Sequence, residues 1–363
     1  MRCLGPVQTL LAPDTVDSPM ADAAIQSALP CRRGRFCALQ GLLLGGASAA
    51  LSGCRGEQST MAPAGREAQQ IAQLFWWMLG FAIVIWLAMM ALAIYAIYLR
   101  RQPHSERQTR QFVIVGGAVV PTVLLTTLLC FALALLPKLV APAPSGSLVI
   151  DVHGVQWWWR VRYQAADGKP IELANEVCIP VDEPIEFRLQ SEDVIHSFWI
   201  PSIGGKVDMI PGRATRLVLH PTRTGIFRGA CAEYCGTSHA LMNFYVRVVT
   251  RQEFDRWLDN QSRDAARPSE SATQRGEQIF LSSGCGACHT LRGTNARGAV
   301  GPDLTHVGSR HSIGAGALTN GAASLHHWLR LTDHIKPDVE MPAFQILGDD
   351  QLRDLAAYLE QLK

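Results

Sequence analysis

The sequence predicts a multidomain membrane protein: a two-helix transmembrane hairpin, then an all-β sandwich, then an all-α module at the C-terminus. Three observations predict it. Residues 71–99 and 112–136 carry no charged side chain, residues 147–250 break into short apolar runs divided by turn residues, and residues 273–363 end on an amphipathic helix from Asp349 to Leu362. At 363 residues the chain is too long for one small domain, and its 48% hydrophobic content is unevenly spread.

At the N-terminus, Arg32, Arg33 and Arg35 precede an apolar run from Ala38 to Leu51, the layout of a signal peptide with a basic n-region. The run ends Leu51-Ser-Gly-Cys54, which resembles a bacterial lipobox and implies cleavage before Cys54 and lipidation of its thiol; an ordinary signal peptidase site nearby is the alternative. Residues 1–31 fit no n-region of normal length, so residues 1–53 read as a signal peptide with an N-terminal extension. As helix, residues 71–99 would span roughly 43 Å, ample for a bilayer core of about 30 Å. Residues 112–136 are also long enough, and Pro121 is tolerated near one end of a membrane helix. Between the two, Arg100, Arg101, Arg107 and Arg110 stand against a single Glu106. The positive-inside rule puts that loop in the cytoplasm, so everything after the second helix is expected in the periplasm of a bacterium, anchored at its inner membrane.

The β region shows apolar runs at Leu148 to Val152, Trp157 to Tyr163, Ile185 to Gln190, Thr215 to Leu219 and Asn243 to Val249. Runs of this length broken by turn signals such as Ala166-Asp-Gly-Lys-Pro170 predict a sandwich with ligands on its end loops. Residues 251–272 are polar and predict the end of a helix and a flexible linker. A formal charge of +2 argues against nucleic-acid binding, and the chain contains no phosphate loop, hydrolase triad or internal repeat.

The chemistry lies in two short segments. Cys231-Ala-Glu-Tyr-Cys235-Gly-Thr-Ser-His239-Ala-Leu-Met242 packs two thiols, an imidazole and a thioether into twelve residues. Soft sulfur donors beside imidazole favour copper, and a blue-copper site would need only one of the cysteines. Two thiolates four residues apart can both bridge a pair of copper ions sharing one electron. A second imidazole is then required, and His196 is the supplier. A Cys231–Cys235 disulfide or a zinc site would use the same cysteines, but neither accounts for Met242 and His196 together.

Downstream, Cys285-Gly-Ala-Cys288-His289 is a heme c attachment signature, with two thioether tethers and His289 as proximal ligand. Gly301-Pro-Asp-Leu follows, and Met341-Pro342 arrives about fifty residues after the signature. Met341 is the expected distal ligand; His306, His311, His326, His327 and His334 are the competing candidates.

Together these residues resemble subunit II of the cytochrome c oxidase family over about residues 70–250 and a class I cytochrome c over about residues 272–363. Gly154-Val-Gln-Trp157 and Gly205-Lys206-Val-Asp208 add to the likeness. The resemblance implies a cupredoxin-like sandwich holding a binuclear CuA centre. Cys231 and Cys235 would be its bridging thiolates, His196 and His239 its terminal imidazoles, Met242 a weak axial ligand and Glu233 a backbone carbonyl ligand. It further implies a Glu233 carboxylate on magnesium shared with subunit I, and an exposed Trp157 where electrons enter. The implied partners are subunit I, carrying heme a and CuB and reducing dioxygen to water, a subunit III, membrane lipid and a soluble or membrane cytochrome c donor. One departure is that the family's proton-channel glutamate aligns with Ile114, so that role is absent here, moved to Glu106 or supplied by another subunit. The rival functions are a CuA-bearing subunit of a nitric-oxide reductase and a non-enzymatic copper-binding or assembly protein.

Overall fold

The computed structural model describes residues 56–99, 105–139, 141–164, 168 and 170–363; the expected signal peptide and the expected lipidation site at Cys54 lie outside them. Helix α1, Arg66–Ile94, runs on through a π-turn at Tyr95–Leu99. Helix α2, Glu106–Ile114, is capped by Ser105 and passes through a π-turn, Val115–Val119, into α3, Val120–Leu139. Pro121 thus falls at the start of α3, just after the π-turn, where its missing N–H is least disruptive. Both spans are long and apolar enough to cross a membrane, and side chains such as Trp76, Trp77 and Trp86 are exposed along α1. An apolar surface that large belongs in lipid rather than water.

Helix α1 starts five residues before the uncharged run, because its first turn is bound to the β domain. Arg66 N donates to His220 O at 3.0 Å, and the Glu67 carboxylate receives both His220 N (2.9 Å) and His220 Nδ1 (2.7 Å). This polar turn ties the membrane helix to the sandwich.

The sandwich consists of two five-stranded sheets. The first, in the order β3-β2-β1-β5-β8, comprises β1 (Leu148–Val155), β2 (Trp158–Gln164), β3 (Pro170–Ala174), β5 (Ile185–Ser191) and β8 (Thr215–Leu219). The second, in the order β4-β10-β9-β6-β7, comprises β4 (Glu176–Pro180), β6 (His196–Trp199), β7 (Lys206–Met209), β9 (Gly225–Cys231) and β10 (Asn243–Val249). Strand β5 shows the alternation that builds the core: Ile185, Phe187 and Leu189 are buried while Glu186 and Arg188 face outward. Phe198 stacks on Phe244 at 4.7 Å, and Trp159 meets both rings edge-on at 5.5 and 5.2 Å. Strands β3, β4, β6, β7 and β9 were not among the apolar runs. The first four have only four or five residues and β9 contains two glycines, so their pairing is decided by neighbouring strands rather than by their own pattern.

Helix α4, Arg251–Ser262, begins in a capping box between Thr250 and Glu253. Its Trp257 packs edge-on against Tyr163 of the sandwich at 5.3 Å. The segment expected to be a flexible linker is instead bonded on both sides of Arg263: Arg292 Nη2 donates to Gln261 O (2.5 Å), Ala265 N to Arg292 O (3.1 Å) and His306 Nε2 to Arg263 O (3.1 Å). Polar composition reads as solvent-facing, but here its carbonyls find donors about thirty to forty residues away.

The C-terminal module contains α5 (Ser271–Ser282), the short α6 (Cys285–Cys288), α7 (Ala322–Ile335) and α8 (Asp349–Gln361). Helices α5 and α8 cross so closely that a Cβ at Gly276 would lie 2.2 Å from Asp354 O. Phe280, Leu325, Leu329, Leu355 and Tyr358 form the core around that crossing.

Candidate metal centre and heme-attachment site

Strand β9 ends on Cys231, and the following loop folds back so that Cys231 N donates to Met242 O at 2.9 Å. The two thiols face each other at 3.8 Å, almost twice a disulfide bond and suited to sulfurs that share metal ions. His196 Nδ1 lies 3.9 Å from Cys231 Sγ, His239 Nδ1 3.5 Å and Met242 Sδ 3.8 Å from Cys235 Sγ, and Glu233 O 3.2 Å from Cys231 Sγ. All six donors read from the sequence therefore converge. His196 and Met242 are fully buried, and Cys231 and Cys235 nearly so. Six donors of mixed sulfur, nitrogen and carbonyl character exceed what one tetrahedral zinc takes and suit a pair of copper ions. Strand β1 makes room for His196 with Gly154, where a Cβ would meet the imidazole Cδ2 at 2.7 Å.

The two thiols titrate as a pair. Because they share one hydrogen bond, the first proton leaves the pair easily and the remaining one is held more tightly. Burial opposes a charge on His196, but its bonds to Asp193 and Cys231 outweigh that and raise it to about 9.

Asp193 was not singled out from the sequence, although it stands only three residues before His196. Its Oδ1 lies 2.7 Å from His196 Nε2, while the backbone amides of Gln156 and Val194 hold the carboxylate at 2.6 Å each. The ring therefore turns Nδ1 toward the sulfurs, the carboxylate–histidine arrangement common at metal sites. The Asp193–His196 pair stabilises the metal-free fold fully below about pH 6.5, and that contribution is lost as pH rises through about 9. Copper must displace the same proton, so this group makes copper affinity rise with pH between about 6.5 and 9, on top of the rise from the thiols. Asp193→Asn should weaken copper binding about 10- to 100-fold at pH 9, with a smaller deficit at pH 6 where the wild-type proton competes. Copper titrations at the two pH values check this; equal affinity of variant and wild type at pH 9 would refute it.

Trp157 differs from the expectation of an exposed aromatic. It is 7% exposed and precedes β2 in a turn, where its indole Nε1 donates to Cys235 O at 2.9 Å, alongside Gln156 Nε2 at 2.7 Å. Its closeness to the sulfur loop stands; its exposure does not, because the ring packs across Gly236. The exposed aromatic on this loop is Tyr234, whose ring lies 5.7 Å from that of His239. The Glu233 carboxylate is half-exposed at the surface, 3.9 Å from Lys206 Nζ.

In the C-terminal module, His289 Nδ1 donates to Pro302 O at 2.8 Å, which leaves Nε2 free as an iron ligand. Gly301 packs beneath that ring, where a Cβ would lie 2.6 Å from Cε1. Cys285 is buried, Cys288 is exposed, and both thiols are free. The residue types and the oriented imidazole fit a covalently held heme. Met341 packs against the same apolar cluster as Cys285. The competing histidines are engaged elsewhere or exposed: His306 bonds Arg263 O, His311 lies 4.4 Å from the Tyr245 ring, His326 pairs with Asp349 at 3.0 Å, and His327 and His334 face solvent.

Comparison with known proteins bears on both sites. The family model "Cytochrome C oxidase subunit II, periplasmic domain" matches residues 163–249, and that for cytochrome c matches residues 273–363. The chain is 33% identical to cytochrome c oxidase subunit 2 of Alkalihalophilus pseudofirmus over 334 residues, covering 86% of this chain and 94% of that one. It is 35% identical to the protein of the same name from Bacillus sp. strain PS3 over 256 residues, 67% of this chain and 69% of the relative. Among solved structures, the periplasmic domain of subunit II of cytochrome oxidase (CoxB) of Bradyrhizobium japonicum aligns with 33% identity and a TM-score of 0.31, covering 33% of this chain and 97% of that domain.

Proposed function

The chain belongs to the cytochrome c oxidase subunit 2 family and carries a cytochrome c domain at its C-terminus, and from that premise we propose that it is the electron-accepting subunit of a terminal oxidase. Electrons would arrive at a heme c on Cys285 and Cys288 and leave through a binuclear copper centre toward a partner subunit that reduces dioxygen to water. When bound, the two groups each carry a single electron at a time and exchange it with little rearrangement.

The observation that carries this reading is the convergence of His196, Glu233 O, His239 and Met242 on two thiols 3.8 Å apart, in a chain that also presents a heme-attachment signature. The protein's part is positioning. Asp193 fixes one ring of the copper site and Pro302 O fixes His289, so neither imidazole needs to reorient when charge arrives. As in the family, a subunit I is the proposed partner, carrying heme a and CuB, with a subunit III, membrane lipid and a cytochrome c donor completing the assembly. The two helices would anchor it in a bacterial inner membrane with both redox domains in the periplasm. Magnesium at Glu233 would need further donors from subunit I, since Lys206 is its neighbour in this chain.

A pyridine hemochrome spectrum of the purified complex, with copper electron paramagnetic resonance, tests the reading. The expected result is heme a beside heme c and a mixed-valence copper signal; heme b with non-heme iron would assign the chain to a nitric-oxide reductase instead. Within the C-terminal module, Met341→Ala should leave the heme covalently attached, abolish the sulfur-to-iron absorption band and lower the heme potential by on the order of 0.2 V. An unchanged band would transfer the axial role to a histidine.

A further inference from the structure

Resting on that reading, we propose that Lys336 is a positioning residue that locks the heme domain onto the rim of the copper site, so that electrons cross at one fixed separation. Lys336 follows α7 and is 2% exposed. Its Nζ donates to three carbonyls: Trp157 O at 2.5 Å, Leu241 O at 2.9 Å and Gly314 O at 3.1 Å. Two of these acceptors belong to the copper domain and one to the heme domain, so the ammonium bridges them. A residue that only capped its own helix would have no reason to reach Trp157 and Leu241.

The place where the bridge lands ties it to electron transfer. Trp157 donates its indole N–H to Cys235 O, and Leu241 directly precedes Met242, so both copper-domain acceptors adjoin groups read as copper ligands. On the heme side, Val339 packs against the apolar core of the sandwich only two residues before Met341. Beside the lysine, Ser238 Oγ donates to Pro337 O at 2.6 Å. Across the interface, Arg160 Nη2 donates to Ala299 O at 2.8 Å, two residues before the Gly301 that packs under His289. The segments leading to both axial residues of the heme are thus the ones docked.

A buried cation is costly; among the described residues no carboxylate pairs with Lys336, and burial, against the opposing pull of Cys235, brings its pKa down to about 7. Three acceptors matched to the three hydrogens of an ammonium oppose that cost. The same match makes the lysine hard to replace. An apolar side chain of equal length would leave three carbonyls in the interface without a donor, the condition that penalises a buried polar group most.

The test uses the assembled oxidase carrying Lys336→Met. The first measurement is the pulsed electron paramagnetic resonance distance distribution between the oxidised copper centre and the low-spin heme. The second is the rate of heme-to-copper electron transfer after photoreduction, with and without glycerol. In the wild type we expect one narrow distance and a rate indifferent to viscosity. In Lys336→Met we expect a broadened distribution and a rate about tenfold lower that tracks viscosity, while the separate copper and heme spectra stay as in the wild type. Ser238→Ala should broaden the distribution in the same direction by less, and it decides the matter alone if the methionine variant does not assemble. A wild-type distribution that is already broad, or variants with wild-type distance and viscosity-independent transfer, would overturn the lock. A wild type without heme c or without the mixed-valence signal would remove the functional reading itself, and this is scored before any variant is compared.

Discussion

Replacing Cys231 or Cys235 with serine should abolish the mixed-valence copper signal and reduce oxygen uptake by the complex by more than about 100-fold, beyond the loss typical of a residue that only supports a ligand. Each sulfur has its own set of neighbours: Cys231 faces His196 and Glu233 O, whereas Cys235 faces His239 and Met242. Removing either thiolate leaves one half of the donors without the shared atom that joins them, and a serine oxygen is too hard a donor to take its place beside copper. The remaining residues could hold at most a single ion. Heme c absorption should be unchanged, since Cys285 lies in a separate core and Cys288 is exposed on the same short helix. Electron paramagnetic resonance of each variant is the direct check; a mixed-valence signal surviving in either would rule out a pair of bridging thiolates.

The second large effect is expected on removing residues 264–363. The cut preserves α4, which stays with the sandwich through Trp257 on Tyr163, so the copper spectrum and membrane insertion should persist. What disappears is a donor held beside the copper domain. Even a flexible tether gives an effective concentration on the order of millimolar, so turnover at micromolar added cytochrome c should fall about a thousandfold and recover as donor is added. Docking through Lys336 makes the contrast greater, because the native domain does not have to search. Oxygen-uptake titrations of the truncated and full complexes decide it: equal rates at sub-micromolar donor would put the heme domain off the main electron path.

Much of the architecture was legible because the signals are local. Membrane helices declare themselves through long uncharged runs, and a strand such as β5 through its alternation. The copper loop packs four donors into twelve residues and the heme signature three into five, so ligand types and spacing were readable without a fold. The four-residue strand β6 and the glycine-containing β9, which carry His196 and Cys231 to the site, were not readable as strands, since their pairing depends on partners far along the chain. Asp193 escaped notice because an acidic residue three positions from a histidine is common, and only the backbone amides that hold its carboxylate give it a role.

By itself, the sequence determined the order of the modules, the two apolar spans and the residue types able to hold copper and heme, because bond chemistry and helix length act over short stretches of chain. Tertiary structure alone decided that Trp157 is buried against Gly236, that the polar segment after α4 is bonded to Arg292 and His306, and that Lys336 crosses from one domain to the other. Each of these depends on where a carbonyl or ring meets a partner many residues away. Composition and periodicity describe a residue's immediate neighbours in the chain, whereas burial and hydrogen-bond satisfaction belong to its neighbours in space.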